Sequence, residues 1–385
     1  MSGDKTIHIL FDLRTLGSLP PPAQAYLLAL ADGLLPALLE GHRATVVLAE
    51  GAAFPLQPIE HPNIAYRTLE HAAHSRAGAR EMHALMRRLR PNVYWSADAS
   101  VPPPVMAWRW RKLCVVYAFQ TLPRPSAYGL TRWLARLWRR LTLHRRLLGA
   151  DALVCPSHAL AARLVLRLGL RARRQVRVIR NGVHPLFRQH SEEEILQARR
   201  TWLVPRRYVM LAGHSAFAKD LAIPLRALGQ NEEVSSVTCV VVGDAKLPGA
   251  LRETIRDCHL EGMVRFIDAT AIPPEDLSAL YSGAAATFEP AYGADYRPAI
   301  LRSMACGTPV ICAADAANEE LYGNTALRVH PTDPTEWGRA FVSLTLSAPL
   351  RERLIARGLA CAAERHWGAT AKATFAVAAE LCRNR

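Results

Sequence analysis

The chain has 385 residues, half of them hydrophobic, with 48 Lys and Arg against 33 Asp and Glu and a formal net charge of +15. This length suits two or three domains, the apolar content excludes a disordered chain, and no uncharged apolar run reaches the ~18 residues of a spanning helix. The opening MSGDKTIHILFDLRTLG is too polar for a secretory signal, and the eight cysteines form no Cys-x-x-Cys pair, which points away from zinc and disulfides and toward the cytoplasm.

Short β-branched runs alternate with helical stretches along the chain. The first half predicts strands at 7–13, 44–49, 93–97, 114–119, 152–157 and 176–181. The second half predicts them at 208–213, 238–244, 263–268, 284–290, 309–314 and 326–331. Such alternation builds parallel βαβ units, and two sets of six imply an α/β protein with two Rossmann-like doubly wound domains. Segment 184–205 follows the turn signal Asn181-Gly182 and crosses between them. The expected division is 1–183, 184–365 and a last helix at 366–385. Ligands of doubly wound sheets bind beyond the carboxyl ends of the strands, near helix N-termini. A nucleotide- or phosphate-sized ligand in a cleft between the two domains is the expectation.

The charge is local. Residues 124–180 hold fourteen Arg and a single acid, Asp151, a net of +13, and the other 328 residues carry only +2. Within this region, 132–148 reads as a helix with Trp133, Leu137, Leu141 and Leu148 at helical spacing and Trp138 beside them. Arg136, Arg139 and Arg140 flank that stripe. One reading is an interfacial helix on anionic lipid; the other is a helix packed on the core with solvated arginines. No nucleic-acid module accompanies the charge, so nucleic acid is not an expected partner.

The second half carries FEPAYGADYRPAILRSMACGTPVICAADAANEELYGNTALRVHPTDPTEW at 288–337. This stretch, with the run Ser-Met-Ala-Cys-Gly-Thr-Pro-Val at 303–310 as its most specific part, resembles the donor region of retaining GT-B glycosyltransferases of the family 4 type. VCPSHALAARL (154–164), VIRNGVHPLF (178–187) and GHSAFAKDL (213–221) are similar to other parts of that family. The resemblance implies an N-terminal acceptor domain and a C-terminal nucleotide-sugar domain, with the last helix returning to the first domain. It also implies transfer of a sugar, with retention, from a nucleotide-diphosphate donor to a saccharide or lipid-linked acceptor, in cell-surface glycan biosynthesis. Lys219 stands where the family places a catalytic lysine on the leaving diphosphate. Gly213, His214, Asp295, Tyr296, Arg297, Pro298, Arg302 and Glu320 fall in the matching donor-site segments. Trp133, Arg136, Trp138, Arg139 and Arg140 would serve acceptor or membrane docking.

The same resemblance exposes departures. The family pairs two glutamates, one for the donor sugar and one for the ribose; the aligned positions here are Gly293 and Arg302. The basic residue after the first strand of the donor domain is His214, and the arginine before the lysine is Ala218. The family's His-Asp after the fourth strand is Phe119-Gln120, and prolines 20–22 stand in its glycine-rich turn. Hence two readings stay open: a transferase with an altered donor site, or a non-catalytic scaffold keeping the fold. The segment has no Asp-x-Asp pair, so neither a metal nor another cofactor is expected.

Overall fold

The computed structural model describes residues 6–16, 21–37, 41–51, 60–96, 111–115, 147–212, 218–230, 237–243, 249–293 and 297–383. Contacts divide the chain into two compact units. Unit 1 is Met1–Asn181 with Trp367–Arg385, and unit 2 is Gly182–His366.

Among its described residues unit 1 has seven parallel strands: β1 (His8–Asp12), β2 (Arg43–Ala49), β3 (Ile64–Leu69), β4 (Val93–Ser96), β5 (Arg111–Val115), β6 (Ala152–Cys155) and β7 (Val176–Val178). Their order is β3-β2-β1-β4-β5-β6-β7. β3 is the strand that the sequence pattern misses. It lies at the edge, and its exposed Arg67 and Thr68 interrupt the apolar run by which inner strands are recognised. The predicted strand at 114–119 begins earlier, at Arg111, and its residues 116–119 lie outside the described residues. Among the described residues the body of this unit has the helices α1 (Pro21–Ala37), α2 (Arg76–Leu89) and α3 (His158–Leu168). Pro21 and Pro22 open α1, where a missing amide costs least.

Among its described residues unit 2 has six parallel strands: β8 (Tyr208–Ala212), β9 (Thr238–Gly243), β10 (Val264–Asp268), β11 (Thr287–Glu289), β12 (Val310–Ala313) and β13 (Leu327–Val329). All six fall inside predicted segments, in the order β10-β9-β8-β11-β12-β13. Its helices are α4 (Glu192–Thr201), α5 (Ala218–Gly229), α6 (Gly249–Asp257), α7 (Pro274–Gly283), α8 (Pro298–Ala305), α9 (Ala316–Tyr322), α10 (Pro334–Leu346) and α11 (Ala348–Ala363). Ser191 and Glu194 close a capping box at the start of α4. Phe288 of β11 packs edge-on against Trp337 and Phe341 of α10, at 5.8 and 5.5 Å between ring centres. Each such pair adds ~0.5–1.5 kcal/mol to the burial of its area. These rings hold the middle of β11 and so fix the loop that leaves its end.

The last helix, α12 (Trp367–Arg383), returns to unit 1 and packs along α1. A Cβ on Gly33 of α1 would stand 3.0 Å from the Trp367 carbonyl, so a glycine there permits the approach. Arg111 donates to the Leu381 carbonyl at 3.0 Å, and Arg177 pairs with Glu380 at 3.1 Å.

Candidate functional site

In unit 2 the strand order reverses between β8 and β11, the switch point at which doubly wound sheets bind ligands. Three adjacent strands, β8, β11 and β12, deliver the chain there to α5, α8 and α9. Pro298 occupies the first position of α8, as the sequence predicts, and Arg297 caps it without a side-chain hydrogen bond. The first-turn amides of α8 therefore have no capping side chain, and together with the helix dipole they favour an anion.

The loop from β11 to α8 is held from three sides. The Tyr292 amide donates to Asp220 Oδ2 at 3.2 Å, which ties the loop to the first turn of α5. The Gly293 amide donates to Asp315 Oδ2 at 3.1 Å, and Gly293 takes a positive φ of 68°. Asp315 is also the N-cap of α9, accepting from the Asn318 amide at 2.9 Å. Arg297 completes the frame: Nε donates to the Ala291 carbonyl at 2.9 Å, Nη1 to Asn318 Oδ1 at 2.8 Å, and Nη2 to Asp315. Beneath them Glu289, at the end of β11, is 4% exposed and accepts from the Ala291 amide at 3.4 Å. Burial pushes its carboxyl up to about 7 despite the opposing pull of Arg297.

Lys219 is exposed in the first turn of α5, just past the end of β8, and makes no ion pair among the described residues. Its neighbour Asp220 joins that turn to the β11–α8 loop through the Tyr292 amide. Arg297 departs from expectation. It is 6% exposed with all three guanidinium nitrogens engaged, and it braces the loop instead of offering a free charge to a diphosphate. Arg302 lies in the last turn of α8, away from the uncapped amides, with its guanidinium 4.7 Å from the Phe187 ring centre. Glu320 is half-buried on α9. The family's two glutamates have seven residues between them, so a second slot at Arg302 puts the first at Ala294, one beyond Gly293 and next to Asp295. Gly213, His214, Asp295 and Tyr296 lie outside the described residues, as do Trp133, Arg136, Trp138, Arg139 and Arg140.

The most family-specific run turns out to build the frame. Gly307, at φ 73°, ends α8 in a Schellman motif: its amide donates to Met304 and that of Thr308 to Ser303, at 3.1 and 3.0 Å. Ser303 Oγ donates to Thr287 Oγ1 of β11 at 2.7 Å. Residues 303–308 thus set α8 against β11 and aim its N-terminus. Unit 1 has a comparable frame that the sequence reading missed. Asp12, Arg14 and Tyr94 are buried together, with Arg14 Nε and Nη2 each 2.8 Å from the Asp12 carboxylate and Tyr94 Oη donating to it at 2.7 Å.

Asp220, Glu289, Asp315 and Asn318 are the other site residues that sequence reasoning passed over. Asp315 carries a visible signal, an Asp three residues before Asn318 at a helix start. Glu289 offers none, since its burial depends on packing.

Two all-parallel doubly wound sheets in two units, with the last helix returned to the first unit, make the GT-B fold. The family model for Glycosyltransferase Family 4 matches residues 23–185, and that for Glycosyl transferases group 1 matches 206–346. The chain belongs to this glycosyltransferase family. A D-inositol 3-phosphate glycosyltransferase of Salinispora tropica is 30% identical over 58% of this chain and 49% of its own length. An O-antigen chain mannosyltransferase B of Escherichia coli is 31% identical over 28% of each chain. The chain thus spans half or less of the length of these relatives. Among solved structures, a sucrose-phosphate synthase from Thermosynechococcus elongatus superposes with TM-score 0.75 at 18% identity, covering 98% of this chain and 100% of its own. Anabaena HepE, in complex with UDP-glucose, superposes with TM-score 0.73 at 19% identity over 96% and 99%. At these identities the structures establish a shared fold.

Proposed function

We propose that the protein transfers a hexosyl group, with retention, from a nucleoside diphosphate sugar to a saccharide or lipid-linked acceptor in cell-surface glycan synthesis. The observation that carries this reading is Lys219: an exposed ammonium at the switch point, tied through Asp220 and Tyr292 to the loop before the uncapped start of α8. In this reading Lys219 and the first amides of α8 hold the diphosphate as negative charge develops on the departing oxygen. The acceptor hydroxyl attacks from the face that the diphosphate leaves. Positioning and leaving-group stabilisation then supply the catalysis, with no metal clamp. Arg297 and Asp315 contribute by fixing the loop, as positioning residues.

The family's paired carboxylates are absent, so sugar and ribose are recognised in this reading by loop backbone and by Glu320. The GT-B relatives support a nucleotide-sugar donor, HepE having been solved with UDP-glucose. Docking on the cytoplasmic face of a membrane is also part of this proposal. It is supported by the +13 segment, and no helix among the described residues is long and apolar enough to cross a bilayer.

Calorimetry with UDP and with GDP tests the donor site. One of them binds, and Lys219→Ala weakens it about tenfold, the size of one lost charge-assisted hydrogen bond. Lys219 is exposed, so the thermal midpoint stays unchanged. If neither nucleotide binds at about millimolar concentration, the transferase reading fails and the non-catalytic scaffold stands.

A further inference from the structure

Among the described strands β7 lies at the edge of the unit 1 sheet opposite β3, and α3 packs beside it. Between them runs a groove of about 860 Å³, lined by Val165, Leu166, Leu170, Val176, Val178 and Arg173 among others. Leu166 is 88% exposed and Leu170 81%. Two large apolar side chains left this open beside one apolar groove need a partner that water does not supply.

The surroundings are cationic. Leu170–Arg174 forms a short 3₁₀ turn with sequence Leu-Arg-Ala-Arg-Arg. Ala172 is fully buried against the core of α3, which anchors the turn, while Arg171, Arg173 and Arg174 are exposed and form no ion pair among the described residues. Residues 158–180 hold seven Arg and not one Asp or Glu. The face therefore combines protruding leucines with the exposed charges of Arg171, Arg173 and Arg174 on an anchored turn.

We infer that this face docks on an anionic lipid bilayer, with Leu166 and Leu170 entering the acyl boundary and Arg171, Arg173 and Arg174 meeting lipid phosphates. A bilayer surface supplies both complements at once, apolar interior and negative charge. A second copy of the chain fits worse, because an isologous contact would set the same arginine-rich patch against itself. The inference rests on the membrane-docking part of the proposed function and is independent of sugar transfer. It places contact at α3 and the 3₁₀ turn.

The test is co-sedimentation of the full-length protein with phosphatidylcholine vesicles, with and without phosphatidylglycerol. The protein partitions onto the mixed vesicles and less so as salt rises toward about 0.5 M. Leu166→Ser with Leu170→Ser, and separately Arg171→Glu with Arg173→Glu and Arg174→Glu, each lower partitioning at least about tenfold. Both sets alter exposed side chains, so thermal midpoints and UDP or GDP titrations match wild type, which separates this inference from the transferase reading. Wild-type partitioning by the leucine variant overturns it and leaves docking to another segment. Failure of the wild type to bind vesicles overturns it together with the docking proposal. A leucine variant that loses self-association in sedimentation velocity, with vesicle binding unchanged, makes the face an interface between copies.

Discussion

Replacing Glu289 with Gln tests the electrostatics beneath the donor loop. The side chain is buried at the end of β11, and its carboxyl is held up to about 7 against an ordinary 4.5. A folded-state value above the unfolded one means that the native protein binds the extra proton between the two. Stability is therefore full below about pH 4.5 and declines as pH rises through about 7. At ~1.36 kcal/mol per pH unit, the interval between 4.5 and about 7 corresponds to a loss of ~3 kcal/mol. Gln has the shape of the protonated acid and cannot ionise, so the variant escapes that loss. Unit 2 is of the size at which 1 kcal/mol moves a midpoint by ~2–4 °C. Near pH 8 Glu289→Gln should thus melt ~6–12 °C above wild type, with the gap closing toward pH 5. Differential scanning calorimetry of both proteins across that range reads it directly. A gap that is constant with pH, or a variant less stable than wild type near pH 8, would refute the reasoning.

Arg297→Met should destabilise unit 2 by ~3 kcal/mol, at the low end for breaking a buried pair because Asp315 keeps the Gly293 and Asn318 amides. Urea unfolding measures this, and a loss below about 1 kcal/mol would mean that the frame around Arg297 is not energetically coupled. Gly307→Ala forces a β-carbon into the left-handed region and to within 2.6 Å of Gln189 Nε2, so ~1–2 kcal/mol should be lost, chiefly from the backbone. Equal stability of that variant would show that the Schellman turn relaxes without cost.

Local pattern carried the sheets. Each of the six unit 2 strands is a short apolar run, and helix 298–305 announces itself through Pro298 and Gly307. β3 escaped because an edge strand needs only one buried face, and Ile-Ala-Tyr-Arg-Thr-Leu reads as a mixed segment. The place of Lys219, just past a strand end, was legible because the apolar run at 208–213 marks that strand. Arg297 was not. Its partners at 315 and 318 are distant in sequence, and an arginine in a donor-site loop looks the same whether it faces a phosphate or braces the backbone. Glu289 was hidden for a related reason: its chemistry is set by what covers it.

The return of α12 has a consequence for the chain as a linear object. Unit 2 is one uninterrupted stretch, Gly182–His366, and its ends lie side by side, with Val183 bridged to His366 and its amide donating to the Arg365 carbonyl at 2.9 Å. Topologically it is an insert carried on a closed loop of unit 1. It can therefore be cut out as a single gene fragment, whereas unit 1 has no such cut. Truncation after Asn181 would strip α1 of the helix that covers Gly33, and a stop codon at Trp367 would do the same while sparing unit 2.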